Sequence, residues 1–154
     1  LALDGSGRER QAAEQYADAM ACFRAALAAV DPQRVVVRAL TGEALEPQGR
    51  LVVASIGKAA TAMARGALDV LGDRIDEGVV IAPVEVDDLP ARMRCYQGGH
   101  PIPNAEGMEG ARDLQRMAAD LVEGDVLLGL ISGGGSALMT LPPDRVSLSD
   151  VRLT

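Results

Sequence analysis

Val126-Leu127-Leu128-Gly129-Leu130-Ile131-Ser132-Gly133-Gly134-Gly135-Ser136 is the stretch on which the fold turns. Its first six residues form an apolar run without alternation, the pattern of a strand buried on both faces of a parallel sheet. Three glycines then fall at the strand's C-terminal end, where open α/β sheets bind their ligands. Glycine reaches φ > 0 and lets the backbone approach another group, leaving N–H donors free for an anion. Ser132 and Ser136 would add hydroxyls to that pocket. The same letters build flexible linkers, but a linker is not expected between a buried strand and the apolar Ala137-Leu138-Met139. The stretch reads as an anion-binding turn. It is not a P-loop, because Ala137 and Leu138 stand where Lys and Ser or Thr are needed. A nucleophile elbow around Ser136 would need Gly at 138, which is Leu.

Working outward, the chain alternates helix and strand patterns. Residues 1–8 are polar and Gly-containing and are expected to fray. From about Glu9 to Val30, Tyr16, Met20, Phe23, Leu27 and Val30 recur at helical spacing and read as core packing. Asp31-Pro32 opens a second, short helix that ends near Thr41-Gly42. Leu51–Ile56 reads as a buried strand, Lys58–Leu71 as a helix and Val79–Ala82 as the next strand, a βαβ unit with a right-handed crossover. Met93–Tyr96 reads as a short strand near an edge, followed by a loop stiffened by Pro101 and Pro103. Asn104 would cap a helix running to about Glu123 and ended by Gly124. After the strand at 126–131, Pro142-Pro143 marks a break and Ser147-Leu148-Ser149-Asp150 a capping-box helix start. With a helix opening this close to Thr154, the sequence is expected to stop inside a domain. The architecture that follows is α/β, with a mainly parallel sheet, incomplete at the C-terminus.

Composition narrows the function classes. A chain of 154 residues is about one domain. A net charge of −7 argues against a phosphate-neutralising nucleic-acid face. No run is long enough to span a bilayer and no secretory leader pattern opens the chain, so a cytoplasmic location is expected, with no membrane partner. Cys22 and Cys95 lie far apart without metal-ligand spacing and read as reduced thiols. No His, Cys, Asp or Glu spacing suggests a tightly held transition metal. Tyr16, Phe23 and Tyr96 are the whole aromatic set, so a nucleotide base would have to lie among aliphatic side chains.

Lys58 is the single Lys among 15 basic residues, in a chain that elsewhere uses Arg. The two cations are not interchangeable, so a lone Lys hints at a place needing a compact ammonium. Gly57-Lys58 falls at a strand-to-helix turn, and a cation at a helix N-terminus is unfavourable by roughly 0.3–1 kcal/mol if exposed. An anion in that turn, shared by the helix N–H groups and the ammonium, removes the conflict. A solvated Lys is the plain alternative. His100, the single His, sits in Gly98-Gly99-His100-Pro101 and could serve as acid or base, bind phosphate or brace its loop. A G-x-G-x-x-G fingerprint is missing after the first strand, where Ser55-Ile56-Gly57-Lys58-Ala59-Ala60 holds one glycine.

Three motifs together resemble the glycerate 2-kinase family, whose C-terminal part is the MOFRL domain. They are Gly57-Lys58-Ala59-Ala60 with Met63-Ala64, then Gly99-His100-Pro101-Ile102-Pro103-Asn104, then Leu130-Ile131-Ser132-Gly133-Gly134-Gly135-Ser136-Ala137-Leu138. The resemblance covers about residue 9 to the end, and the C-terminal domain has no counterpart here. It implies a three-layer α/β/α, Rossmann-like N-terminal domain over 9–154, preceded by a disordered 1–8. It also implies ATP- and Mg2+-dependent phosphorylation of D-glycerate at the 2-hydroxyl by the full-length protein, with the fragment alone inactive. Lys58 matches the family's active-site lysine. Ser132, Gly133, Gly134, Gly135 and Ser136 match its glycine-rich turn, and together with Gly57 and His100 they are the candidate substrate- and phosphate-binding residues. The implied partners are glycerate and a nucleotide, with a homodimer left open. Rival readings are a hydroxypyruvate reductase, disfavoured by the missing dinucleotide fingerprint, and a non-catalytic small-anion binding module. A serine hydrolase built on Ser136 and His100 ranks third.

Overall fold

The computed structural model describes residues 5–42 and 45–153. The chain divides into two compact units, residues 1–31 and 32–154. The first consists of helix α1 (Gly5–Ala29). Residues 1–4 of the segment expected to fray lie outside the described residues, whereas 5–8 belong to the helix. Tyr16, Phe23, Leu27 and Val30, read from sequence as core, are instead exposed. A single helix carries no second layer within its own unit, so helical spacing of apolar residues here does not mean burial.

The second unit runs α2 (Pro32–Thr41), β1 (Leu51–Ile56), α3 (Ala60–Leu71), a 3-10 turn (Gly72–Arg74) and β2 (Glu77–Ala82). It continues with β3 (Met93–Gln97), α4 (Ala105–Ala119), β4 (Val126–Ile131), α5 (Gly135–Leu138) and α6 (Leu148–Arg152). The strands form one four-stranded sheet in the order β3-β2-β1-β4, and every pairing is parallel. Chain direction across the sheet reverses at β1: β2 and β3 are added on one side and β4 on the other. With right-handed crossovers, α3 and α4 must then lie on opposite faces. The packing agrees. Leu51, Val53, Val80 and Leu130 join α2 and α3 in one core, while Val52, Val79 and Ile81 pack with Met117 of α4 and Leu138 of α5 in the other. The result is a three-layer α/β/α sandwich.

β1 is the spine of this unit, and all six of its residues are buried. Each Val, Leu or Ile buried in such a position contributes about 1.5–3 kcal/mol. β4 differs from its reading as a strand buried on both faces. Leu130 is buried toward α3, but Leu127 and Ile131 on the other face are 43% and 75% exposed. No helix of the described residues covers that face of β4, so an apolar run without alternation reported composition and not actual burial. Asn104 caps α4 as expected, accepting from Gly107 N–H at 2.8 Å. That helix ends at Ala119, and Gly124 (φ +94°) serves the later turn into β4. The capping box at Ser147 and Asp150 forms. No helix of the described residues is long and apolar enough to cross a membrane.

Charged groups gather around the opposite ends of the strands. Arg50, just before β1, binds Asp125 at 3.1 Å and Glu77 at 3.5 Å. Arg94 of β3 binds Glu77 at 2.8 Å and the buried Asp113 of α4 at 2.6 Å, and Tyr96 Oη donates to Asp113 at 2.9 Å. Burial pushes the Asp113 carboxyl up, but hydrogen bonds from Arg94 and Tyr96 and the Arg94 charge outweigh it and hold it below the usual carboxylate range. A carboxyl lowered in the folded state stabilises above its unfolded value, about 3.9, and the contribution disappears as pH falls through the lower folded value. Asp113→Ala should cost about 2 kcal/mol at pH 7, because it strands Arg94 and Tyr96. Denaturant titrations at pH 7 and below pH 3 should show the difference between the two proteins shrinking in acid. An equal difference at both pH values would remove Asp113 from the account of acid stability.

Candidate functional site

The C-terminal ends of β1 and β4 are drawn together by backbone bonds. Ser132 N–H donates to Ile56 O at 2.9 Å and Lys58 N–H donates to Gly133 O at 2.9 Å. Ser132 Oγ accepts from Ala59 N–H at 3.0 Å. The two glycine-bearing turns are therefore one structure, placed where strand order reverses. That is the crevice in which open α/β sheets hold ligands.

Gly57 makes this contact feasible. Its φ is +119°, and a Cβ there would overlap the Ser132 hydroxyl and lie 2.6 Å from the Ser132 carbonyl oxygen. Gly57 N–H also donates to Ile81 O at 3.1 Å, which ties the turn to β2. Below the turn, the buried Ser55 Oγ donates to Ala60 O at 2.7 Å and anchors the start of α3. Lys58 lies in the turn itself, since α3 begins at Ala60, and is exposed.

The third motif joins from the side. β3 pairs with β2, and Gly98 N–H donates to Ala82 O at 2.8 Å, continuing the ladder into the His100 loop. Asn104 Nδ2 closes that loop by donating to Gln97 O at 2.8 Å, and the His100–Pro101 peptide is cis. Gly134, at φ +92°, is held between two side chains. A Cβ on it would come within 3.0 Å of His100 Cδ2 and 3.3 Å of Lys58 Cγ. Lys58, His100 and the glycine turn thus meet at one point, from three separate loops. Ser132, Gly134, Gly135 and Ser136 line a cavity of about 380 Å3 with Ile56, Ile131 and Met139.

Not every expected site residue has its polar group free. The Ser132 hydroxyl, read as a ligand donor, is engaged between the turns, while Ser136 and His100 are exposed. Gly98, read from sequence only as part of the His100 loop, and Gly107, which sequence reading passed over, hold the site from behind. Gly98 and Gly107 lie against the Leu138 backbone so closely that a Cβ on either would overlap its carbonyl oxygen. The buried Leu138 fixes α5 there, and small residues at 98 and 107 were the available signal. The Thr61 hydroxyl in the first turn of α3 is buried without a hydrogen-bond partner. No group of three His, Cys, Asp or Glu side chains among the described residues is arranged to hold a metal.

A parallel sheet with paired glycine turns at its switch point defines an α/β domain with an open crevice at the C-terminal ends of its strands. Residues 18–154 match a family described as a domain of unknown function, DUF4147. The chain belongs to that family, the N-terminal domain of the glycerate 2-kinases. It is 35% identical over 138 residues to a glycerate 2-kinase of Pyrococcus horikoshii, a match covering 84% of this chain and 31% of that protein. A D-glycerate 2-kinase of Thermotoga maritima is 34% identical over 135 residues, covering 87% of this chain and 32% of the relative. A crystal structure of glycerate kinase from Thermotoga maritima superposes with a TM-score of 0.76 at 34% identity, over 84% of this chain and 31% of that one. The chain therefore spans about 31% of the length of the relatives it matches.

Gly57→Ala should cost at least about 2 kcal/mol, from a strained φ and overlap with Ser132. In a chain of this size that lowers the thermal midpoint by about 4–8 °C. Ser132→Ala loses the bond from Ala59 N–H and the long 3.4 Å bond to Ile56 O, and should cost about 1 kcal/mol. Thermal unfolding followed by circular dichroism ranks the two, and the reverse order would mean the turns are not pressed together as described.

Proposed function

We propose that this chain supplies the anion-binding side of a kinase cleft in which ATP phosphorylates D-glycerate at its 2-hydroxyl. The observation that carries this reading is the meeting of Lys58, His100 and the Gly133–Gly135 turn at the switch point. Both the glycerate 2-kinase activity of the relatives and the chemistry of the turns support it. The reading is of a cytoplasmic enzyme acting on small anions, which a net charge of −7 repels at long range and the local ammonium of Lys58 must attract.

Phosphoryl transfer asks little covalent chemistry of the protein and much positioning and charge neutralisation. Lys58 supplies a compact ammonium at the crevice, either to the transferring phosphate oxygens or to the glycerate carboxylate. The N–H groups that open α5, at Gly135 and Ser136, have no intrahelical partner and donate to an anionic oxygen, with the Ser136 hydroxyl beside them. Imidazole at position 100 donates a hydrogen bond to the same anion. ATP suits this cradle, since its phosphates need backbone donors and a cation. The family implies Mg2+ as well, but the described residues present no carboxylate cage for it. No step is assigned to a protein-held ion.

A glycerate-kinase-length protein carrying this chain tests the reading, made by fusing it to the remainder of the Thermotoga maritima enzyme. Lys58→Arg should lower kcat with glycerate and ATP by about two to three decades, a loss of roughly 2–4 kcal/mol, with an unchanged circular dichroism spectrum. A guanidinium keeps the charge, so a merely solvated Lys58 would leave the rate within a few-fold. That result would sink the assignment.

A further inference from the structure

The loop that carries His100 has little of its own to hold it. Among the described residues none of 99–102 makes a hydrogen bond, and His100 and Ile102 are exposed. Pro101 and Pro103 have no N–H to offer. The base of the loop is closed at Gln97. Asn104 Nδ2 donates to Gln97 O at 2.8 Å, and Glu106 Oε1 accepts from Gln97 N–H at 2.7 Å. These bonds fix where the chain leaves β3 and enters α4. They do not fix where the imidazole stands.

One bond reaches the loop from a distant element. Arg152 of α6 donates from Nε to Pro103 O at 2.7 Å, across 49 residues of sequence. It holds the returning limb of the loop, three residues beyond His100. Arg152 is itself held, because α6 opens with the Ser147–Asp150 capping box. Asp150 Oδ2 accepts from Ser147 N–H at 2.7 Å, and Ser147 Oγ accepts from Asp150 N–H at 3.1 Å.

The same stretch of chain touches both sides of the site. It leaves the glycine turn through α5, where Leu138 is buried, and arrives through α6 at the Pro103 limb. Residues 135–152 thus connect the glycine turn to the His100 loop. The two meet at Gly134, where a Cβ would lie 3.0 Å from His100 Cδ2. A loop without internal bonds opens at little cost, so losing one hydrogen bond shifts its ratio of seated to open forms by about fivefold.

We propose that Arg152 is a positioning residue for the crevice, its bond to Pro103 O seating His100 against the glycine turn. It acts through His100 and not on the ligand. This rests on the reading in which the imidazole donates to the bound anion. What matters in Arg152 is the N–H and not the charge, because the acceptor is a neutral peptide carbonyl.

That distinction sets the test. Gln carries its Nε2 donor as many bonds from the backbone as Arg carries Nε, without the charge. In the fusion to the remainder of the Thermotoga maritima enzyme, Arg152→Ala should raise KM for the substrate that His100 contacts by about two- to fivefold. The kcat should not change, since saturating ligand reseats the loop, and the thermal midpoint should stay within about 2 °C. Arg152→Gln should restore the parent KM. No change in Arg152→Ala, an equal loss in both variants, or a loss confined to kcat would each overturn the proposal. A second readout needs no turnover. His100 is the single His, so its ring signals in the 154-residue chain are unambiguous. The nuclear Overhauser contact between His100 Hδ2 and Gly134 Hα should be present in the parent and in Arg152→Gln, and weaker in Arg152→Ala. An unchanged contact in Arg152→Ala overturns the seating role whether or not the fusion phosphorylates glycerate, whereas an inactive fusion with the expected Overhauser pattern counts against the kinase reading alone.

Discussion

The constraint on which the site depends is the close approach of two strand ends. Ile56 O accepts from Ser132 N–H, and Gly133 O accepts from Lys58 N–H, so the β1 and β4 turns share one set of bonds. Such an approach requires the absence of a side chain at position 57, where any Cβ would enter Ser132. It also requires the parallel register that sets Ile56 opposite Ile131, because a one-residue slip would separate the turns and invert the faces of β4. Lys58 is placed at the crevice by this backbone contact and not by any side-chain bond of its own.

The sheet separates ion-paired charge from solvent-exposed charge along its own axis. Near the strands' N-terminal ends, Arg50, Glu77, Arg94, Asp113 and Asp125 satisfy one another in ion pairs. At the C-terminal ends the cation and the imidazole are left exposed beside backbone turns. Pairing Lys58 with a carboxylate would neutralise the charge on which the proposed anion contact rests. Helix α5 and the buried Leu138 stabilise the turn from the rear without occupying its open side. The glycines at 98 and 107 admit that support at the cost of chain entropy.

Much of this was legible in the sequence, for local reasons. Unalternating apolar runs at 51–56 and 126–131, each ending in glycine, were sufficient to predict parallel strands with their turns at one edge. Asn104 and Ser147 announced their helices through capping chemistry that acts over three or four residues. What was hidden depended on distant partners. Ser132 reads as a free hydroxyl until Ala59 is known to lie against it, 73 residues away. The contact of Gly134 with His100 is likewise invisible without the β2–β3 pairing that carries the His100 loop across. The stripe on α1 shows the converse, a local pattern with no facing element in its own unit.

β4 combines both lessons. Residues 126–131 have the composition of a central strand, apolar on both faces and without charge. Such a strand at an exposed edge is costly, because unpaired N–H groups and exposed Leu and Ile invite association. A sequence selected for a permanent edge would have placed charge at 127 or 131, at little cost to the half-buried 128 and buried 130 positions. The exposure of this face also bears on the proposed site. Ile131 is 75% exposed and immediately precedes the glycine turn, so whatever covers it also removes water from one wall of the crevice. Excluding water strengthens every electrostatic contact that Lys58 and the turn can make with an anion.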